Sequence, residues 1–333
     1  MVDLSLYDKV FVLCDENTEK YCLPKFMEEY QGQEFQFITI PAGDENKSLE
    51  TAGIVWTKLN EGGATRYSLL INLGGGMVTD LGGFAASVYK RGIKFMNFPT
   101  TLLGMVDASA GGKTGVNFNG LKNQLGVFNM PSRVIFNLDY LRTLNNENLL
   151  SGLAEMLKHA LLSKSDMIDD ILAFDINNVD FEKLDRMIRR SVGVKRAFTD
   201  RDPKEKDMRK ALNFGHTIGH ALESYALDKG TPVLHGYAVA WGMICELYLS
   251  AAYYDFPQSL MRTIVQFIKE YYGTMDISCD DYDQLCQYIS HDKKNYGETI
   301  QMTLLSGLGS IRINRPVTNE QVVEALDFYR EGL

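Results

Sequence analysis

Residues 69–87 read LLINLGGGMVTDLGGFAAS. An apolar, strand-forming run over 68–73 ends in Gly74-Gly75-Gly76, and a segment rich in small residues follows from Asp80. Consecutive glycines after a strand let backbone N–H groups approach a diphosphate, and the next helix aims the positive end of its dipole at the same anion. The order GGGMVTD is not the GxGxxG fingerprint, and a glycine-rich turn by itself is often only a tight turn. The succession of strand, glycines and helix still predicts a βαβ unit, and it fixes how the flanking sequence is parsed.

Working outward, β-rich runs at 9–14, 35–40, 95–98 and 133–137 alternate with helical patterns such as 48–61. Alternation of this kind predicts an α/β N-terminal domain over 1–150, with a mainly parallel Rossmann-like sheet and ligands at the strand C-termini. From residue 151 the period changes to 3.6, with segments at 152–163, 181–197, 211–227 and 237–254. Residues 151–333 therefore read as a mainly α-helical C-terminal domain. Its exceptions are two β-rich runs at 299–305 and 309–313 around Gly307, a small hairpin. Thr318 then caps a last helix through Arg330, with Gln321 placed for a capping box. A boundary between unlike architectures predicts a cleft, a common location for a binding site.

Composition bounds the function. The 333 residues, 45% hydrophobic, suffice for two cores, and the net charge of -9 argues against a nucleic-acid partner. No run of about 18 apolar residues occurs, so no membrane span is expected. The N-terminus carries acids among its apolar residues and does not read as a signal peptide. Five cysteines without CxxC spacing read as free thiols. Together these predict a soluble, cytoplasmic protein.

Three segments carry chemistry. Pro99-Thr100-Thr101 sets hydroxyls at the end of a strand, at the same sheet edge as the glycines. Residues 106–128, VDASAGGKTGVNFNGLKNQLGVF, hold five glycines with Asp107, Lys113, Asn117, Lys122 and Asn123. That composition predicts a loop that closes over anionic groups. His216, His220 and His235 fall within twenty residues, the first two at i, i+4 on one helical face. Such a pair ligates a metal, or divides ligation and proton transfer between its members, or packs as a core pair. Glu155, among Leu153, Ala154, Met156 and Leu157, is a charge in apolar surroundings that needs a partner. It completes a His2Glu set with an open position for substrate, and His159, one turn on, is the alternative ligand. His291 reads as an ordinary surface residue. Lys158, Lys195, Arg209, Asn213, Lys293 and Lys294 are residue types that are usually solvated, and together they suit a small polyanion beside a metal. The residues alone thus predict a nucleotide, a divalent metal and an anionic polyol.

The strings GGGMVTDLGGFAAS, FPTTLLGMVDASAGGKTGVN, LKNQLGVF, AEMLKHAL, LNFGHTIGHALE, LHG and DKKNYGETIQMTLL resemble successive motifs of the 3-dehydroquinate synthases, in the family's order from Pro41 to Leu305. The resemblance implies Zn2+, with Co2+ as substitute, held by Glu155, His216 and His235. It implies NAD contacts from Asp44, Lys47, Gly75, Gly76, Asp80, Thr100, Thr101, Lys113, Lys122 and Thr143. It places Asp107, Lys113, Asn123, Lys158, Lys195, Arg209, Asn213, His220 and one of the 293–294 lysines, taken as Lys293, around a sugar phosphate. Arg91 would reach in from the partner subunit of a homodimer. One departure stands out: His235-Gly236-Tyr237 replaces the family's HGE, so the carboxylate expected behind the third ligand is missing there.

The implied reaction converts 3-deoxy-D-arabino-heptulosonate 7-phosphate to 3-dehydroquinate and phosphate, a carbon–oxygen lyase step of the shikimate pathway to aromatic amino acids. NAD oxidises the C5 hydroxyl transiently, phosphate is eliminated, hydride returns, and an aldol closure forms the ring. The rivals are a metal-dependent polyol dehydrogenase, a sibling sugar-phosphate cyclase lacking the carboxylate, and an inactive homologue. The dense set of Lys, Arg and Asn favours a phosphorylated, carboxylated substrate over the first two, and the complete ligand set argues against the third.

Overall fold

The computed structural model describes residues 2–119, 121–290 and 300–332. The chain forms two compact units, Met1–Asn145 and Asn146–Leu333. The first runs, in chain order, β1 (Val10–Asp15), α1 (Glu16–Tyr21), α2 (Leu23–Glu29), β2 (Gln36–Ile40), α3 (Leu49–Glu61), β3 (Leu69–Gly74), α4 (Gly76–Val88), β4 (Lys94–Pro99), β5 (Lys113–Phe118), β6 (Leu121–Phe128) and β7 (Arg133–Val134). Five strands make one parallel sheet of order β2-β1-β3-β4-β7. Strands covered on both faces carry apolar residues continuously, and successive residues serve opposite faces. Phe11, Leu13, Leu70 and Phe95 thus pack with Val55, Leu59, Leu81 and Phe84 of α3 and α4. Val10, Val12, Leu69, Ile71, Met96 and Phe98 face Phe26, Tyr30 and Tyr140 on the other side. Each such burial contributes roughly 1.5–3 kcal/mol relative to exposure.

A polar pair interrupts this core. Asn72 and Asn97 are partners in the β3–β4 register. Asn72 Nδ2 donates to Asn97 Oδ1 at 2.9 Å, and Asn97 Nδ2 donates to Ser109 O at 3.4 Å. The buried amides therefore tie two central strands to the turn that carries Asp107.

Two expectations for this unit need correction. Residues 106–128 are not a loop without structure of its own: β5 and β6 form an antiparallel hairpin that packs against α4. Gly115 lies opposite Gly126, where a Cβ on the first would come within 2.5 Å of Leu125 O, so these glycines let two strands approach and do not mark a flexible loop. β7 keeps only two of its five expected residues before the chain enters a 3-10 turn at Leu138–Thr143.

The second unit runs α5 (Asn146–Leu161), α6 (Met167–Leu172), α7 (Phe181–Arg201), α8 (His216–Asp228), α9 (His235–Tyr253), α10 (Gln258–Tyr272), α11 (Tyr282–Ser290), β8 (Ile300–Leu305), β9 (Ile311–Val317) and α12 (Asn319–Glu331). α9 is apolar nearly all round and buried from Ala238 to Leu247, the pattern of a central helix. It packs against α5, α8, α10, α12 and β8. α5 begins six residues before the expected 152. The expected helix 211–227 is broken: a 3-10 turn, Met208–Asn213, gives way at Gly215, whose φ of 78° is left-handed, and α8 starts at His216. β8 and β9 form the expected hairpin, and Thr318 with Gln321 makes the capping box of α12. All five cysteines are free thiols. Among the described residues, no helix is long and apolar enough to cross a membrane.

Candidate functional site

Within the second unit, α5, α8 and α9 bring Glu155, His216 and His235 to one point. Glu155 is fully buried, and its Oε1 lies 3.4 Å from His216 Nε2 and 3.6 Å from His235 Nε2. Lys158, also buried, touches Oε2. His216 Nδ1 lies 3.0 Å from the Phe214 carbonyl, which can only accept, so this nitrogen carries the proton and Nε2 presents its lone pair to Glu155. A lone pair facing a carboxylate oxygen is repulsive unless a cation sits between them.

The electrostatics agree. Burial pushes the Glu155 carboxyl up, but the Lys158 ammonium beside it outweighs burial and holds it well below the usual carboxylate range. Burial, reinforced by Lys158, lowers His216 to about 3 against the pull of Glu155, so the imidazole is neutral. His235 faces the same carboxylate yet moves the other way. Burial lowers it, but Glu223 and Glu155 together raise it to about 10. The difference is Glu223, whose Oε2 lies 3.4 Å from His235 Nδ1. With carboxylates on both sides, the position at His235 calls for positive charge, supplied by a proton or by a metal. A neutral His216, an ionised Glu155 and a doubly flanked His235 fit a divalent ion of the zinc type.

Glu223 corrects the expectation drawn from Tyr237. A carboxylate does stand behind His235, but it comes from α8, one turn after His220. Tyr237 instead packs edge-on against Trp241 and Tyr272. The ring of His220 lies 5.2 Å from that of His216 and 5.8 Å from that of His235, and the three rings offer nitrogens within 4.8 Å of one another. His159, the alternative ligand, is buried with Nδ1 2.7 Å from Ser191 Oγ, and it too offers a nitrogen within 4.8 Å of a Glu155 oxygen.

Lys195 on α7 and Arg209 are buried, and Arg209 Nη1 donates to Pro203 O at 2.7 Å. Asn213 Nδ2 donates to Glu205 Oε1 at 2.8 Å. Neither Glu205 nor the buried Glu246, which binds the start of α8, was singled out from the sequence. His291, Lys293 and Lys294 lie outside the described residues.

In the first unit, the glycines end β3 and begin α4, and Gly75, which caps α4, has no side chain to occupy the space in front of the helix. Thr100 N donates to Gly74 O at 3.0 Å, and Thr101 Oγ1 accepts from Gly104 N at 2.9 Å, so the hydroxyl segment lies beside the glycine turn. Lys47 Nζ donates to Asp80 Oδ2 at 2.6 Å and to Asn123 Oδ1 at 2.7 Å, joining three expected site residues from separate segments. Lys122 pairs with Asp44 at 3.1 Å. The Thr100 and Thr143 hydroxyls both bear on the Cys22 thiol, which burial pushes up to about 11. Asp107 is half-buried in the turn Gly104–Ala108, and Lys113 is exposed at the start of β5. Arg91 stands apart, exposed after α4 beside Lys90, both with left-handed backbone.

The chain matches the family described as 3-dehydroquinate synthase N-terminal over residues 37–151, and that described as 3-dehydroquinate synthase C-terminal over residues 152–295. It is 49% identical over 326 residues to a 3-dehydroquinate synthase of Parabacteroides distasonis, covering 98% of this chain and 92% of the relative. Among solved structures it resembles 2-deoxy-scyllo-inosose synthase complexed with carbaglucose-6-phosphate, NAD+ and Co2+. The TM-score is 0.86 at 25% identity, covering 98% of this chain and 91% of the other. It also resembles 2-epi-5-epi-valiolone synthase from Streptomyces hygroscopicus with NAD+ and Zn2+ bound, with a TM-score of 0.86 at 26% identity, covering 97% and 91%.

Proposed function

Because the chain belongs to the 3-dehydroquinate synthase family, we propose that it converts 3-deoxy-D-arabino-heptulosonate 7-phosphate to 3-dehydroquinate and phosphate, as a carbon–oxygen lyase of the cytoplasm. The observation that carries this is the meeting of Glu155 with the unprotonated Nε2 of His216 and with His235. The ligands of the two solved neighbours support NAD and Zn2+, or Co2+, as cofactors. When bound, NAD takes and returns the hydride at C5 while the metal polarises the oxygen there.

The chain's own residues do the rest. Glu155, His216 and His235 hold the metal, and Glu223 keeps His235 oriented. His220, one turn beyond His216, is left to hold or move a proton at the substrate. Lys158, buried against Glu155, keeps that carboxylate ionised and directs its remaining donors to substrate oxygens. Arg209 and Lys195 grip the carboxylate, Arg209 through its fork of donors. Lys113, Asn123, Asn213 and His220 position the phosphate, and Asp107, one of Lys293 and Lys294, and Arg91 supplied by the partner of a homodimer take further substrate contacts. Phosphate leaves from C7 as the C6 proton is taken, with an oxygen of the departing phosphate as the base. Gly75 and Gly76 meet the NAD diphosphate, and Asp44, Lys47, Asp80, Thr100, Thr101, Lys122 and Thr143 take the remaining contacts. Two buried cations for a carboxylate favour this substrate over the sugars of the sibling cyclases.

The test follows phosphate release and absorbance at 340 nm with heptulosonate phosphate, NAD and Zn2+. Steady phosphate release without accumulating NADH is expected. NADH formed in step with turnover would make the chain a dehydrogenase, and turnover of glucose 6-phosphate in preference would make it a sibling cyclase.

A further inference from the structure

α8 carries two of the clustered histidines, yet its first turn has no cap of its own. The residue before it, Gly215, is left-handed, and a Cβ there would come within 2.6 Å of Met243 Cγ and 2.9 Å of Val239 O. Any capping side chain at that position is excluded by α9. The cap comes from α9 itself. Glu246, fully buried, accepts from Gly215 N at 2.6 Å through Oε2 and from Thr217 N at 3.1 Å through Oε1. The two amides bracket His216. From within the same segment, the His216 ring donates through Nδ1 to Phe214 O. The Glu246 backbone is anchored in turn: Ser250 Oγ donates to Glu246 O at 2.6 Å and accepts from Leu305 N at 3.0 Å, joining the cap to β8.

A buried carboxylate bound to two backbone amides at the positive end of a helix is held firmly and adds a fixed negative charge. Here the charge stands behind a metal ligand and its geometry fixes that ligand's backbone. Both effects favour a bound divalent cation. We propose that Glu246 is a positioning residue that sets metal affinity through His216. The inference rests on the metal reading of Glu155, His216 and His235.

The test strips metal from the full chain and measures Zn2+ affinity by competition with a chromophoric chelator, together with the visible absorption of the Co2+ form and apo-protein melting. The proteins compared are wild type, H216A, E246Q and V265A. Val265 is fully buried on α10 and serves as a destabilised control. Glu246→Gln keeps the shape but can accept only one of the two amides without setting donor against donor. It is expected to weaken Zn2+ binding about tenfold and to shift the Co2+ spectrum, while V265A melts lower with affinity within about twofold of wild type. If E246Q does not accumulate, Glu246→Asp keeps the charge but withdraws it by one methylene, and a loss of roughly threefold, a fraction of that for removing the partner, is expected. Unchanged affinity in the variant measured, or a loss no larger than that of V265A, overturns the proposal and leaves the metal site intact. If wild type binds no more Zn2+ than H216A, the metal reading fails and takes the proposal with it.

Discussion

Glu223 shows how the partner of one residue can come from a different element. Its carboxylate meets His235 Nδ1 at 3.4 Å from α8, whereas the chain's departure at Tyr237 had removed the acid expected next to the ligand. The support behind a ligand histidine fixes its orientation and raises its basicity. E223Q is therefore expected to keep the fold and lose roughly 10–100-fold in Zn2+ affinity, read by chelator competition; an unchanged affinity would deny Glu223 that role. That Glu155, His216 and His235 would meet was legible, because an acid among apolar neighbours and a His pair at i, i+4 are rare local patterns. Glu223 gave the same kind of signal as Glu155, a carboxylate inside an apolar helical stretch, three residues after His220. Glu246 was harder to read, since its partners are backbone amides brought near only by helix packing.

Helices α8 and α9 touch backbone to backbone. A Cβ at Gly242 would collide with Gly215 O and lie 2.6 Å from Gly219 N, and one at Gly219 would lie 2.8 Å from Ala238 O. Gly242→Ala forces these helices apart, at a cost of about 1–3 kcal/mol, and moves His216 relative to His235. The denaturation midpoint should fall and metal affinity fall with it; an unaffected midpoint would mean that the contact yields freely. At this scale the parallel strands were legible as short β-rich apolar runs and most helices from their periodicity. The hairpin β5–β6 was not, because a glycine facing a glycine across two strands has the same composition as a mobile loop. The break before α8 was missed for a related reason: apolar spacing continues through Phe214 and Gly215, and only the backbone angle at Gly215 ends the pattern.

The proposed ligand sets divide between the two units, the metal's in Asn146–Leu333 and the glycine turn with Lys47 and Asp80 in Met1–Asn145. At Zn2+ a hundredfold above its Kd the native state gains ~2.7 kcal/mol, which for a unit of this size raises the melting temperature by roughly 5–10 °C. Calorimetry on H216A should lose that shift while keeping any stabilisation by NAD, and a full Zn2+ shift in H216A would remove it from the ligand set. The order of α/β and helical halves was readable because short β-rich runs alternating with helices give way near residue 150 to long 3.6-period segments, whereas the partnership between strands is written in no local pattern. Here Asn72 and Asn97 matter in another way. A parallel sheet with apolar residues on both faces tolerates many staggers of one strand against the next. Sliding β3 by one step against β4 would break the Asn72 Nδ2–Asn97 Oδ1 bond and leave that donor and that acceptor stranded in oil, at about 1–3 kcal/mol apiece. The pair thus works as a proofreader during assembly, rejecting mispaired sheets that hydrophobicity alone would accept.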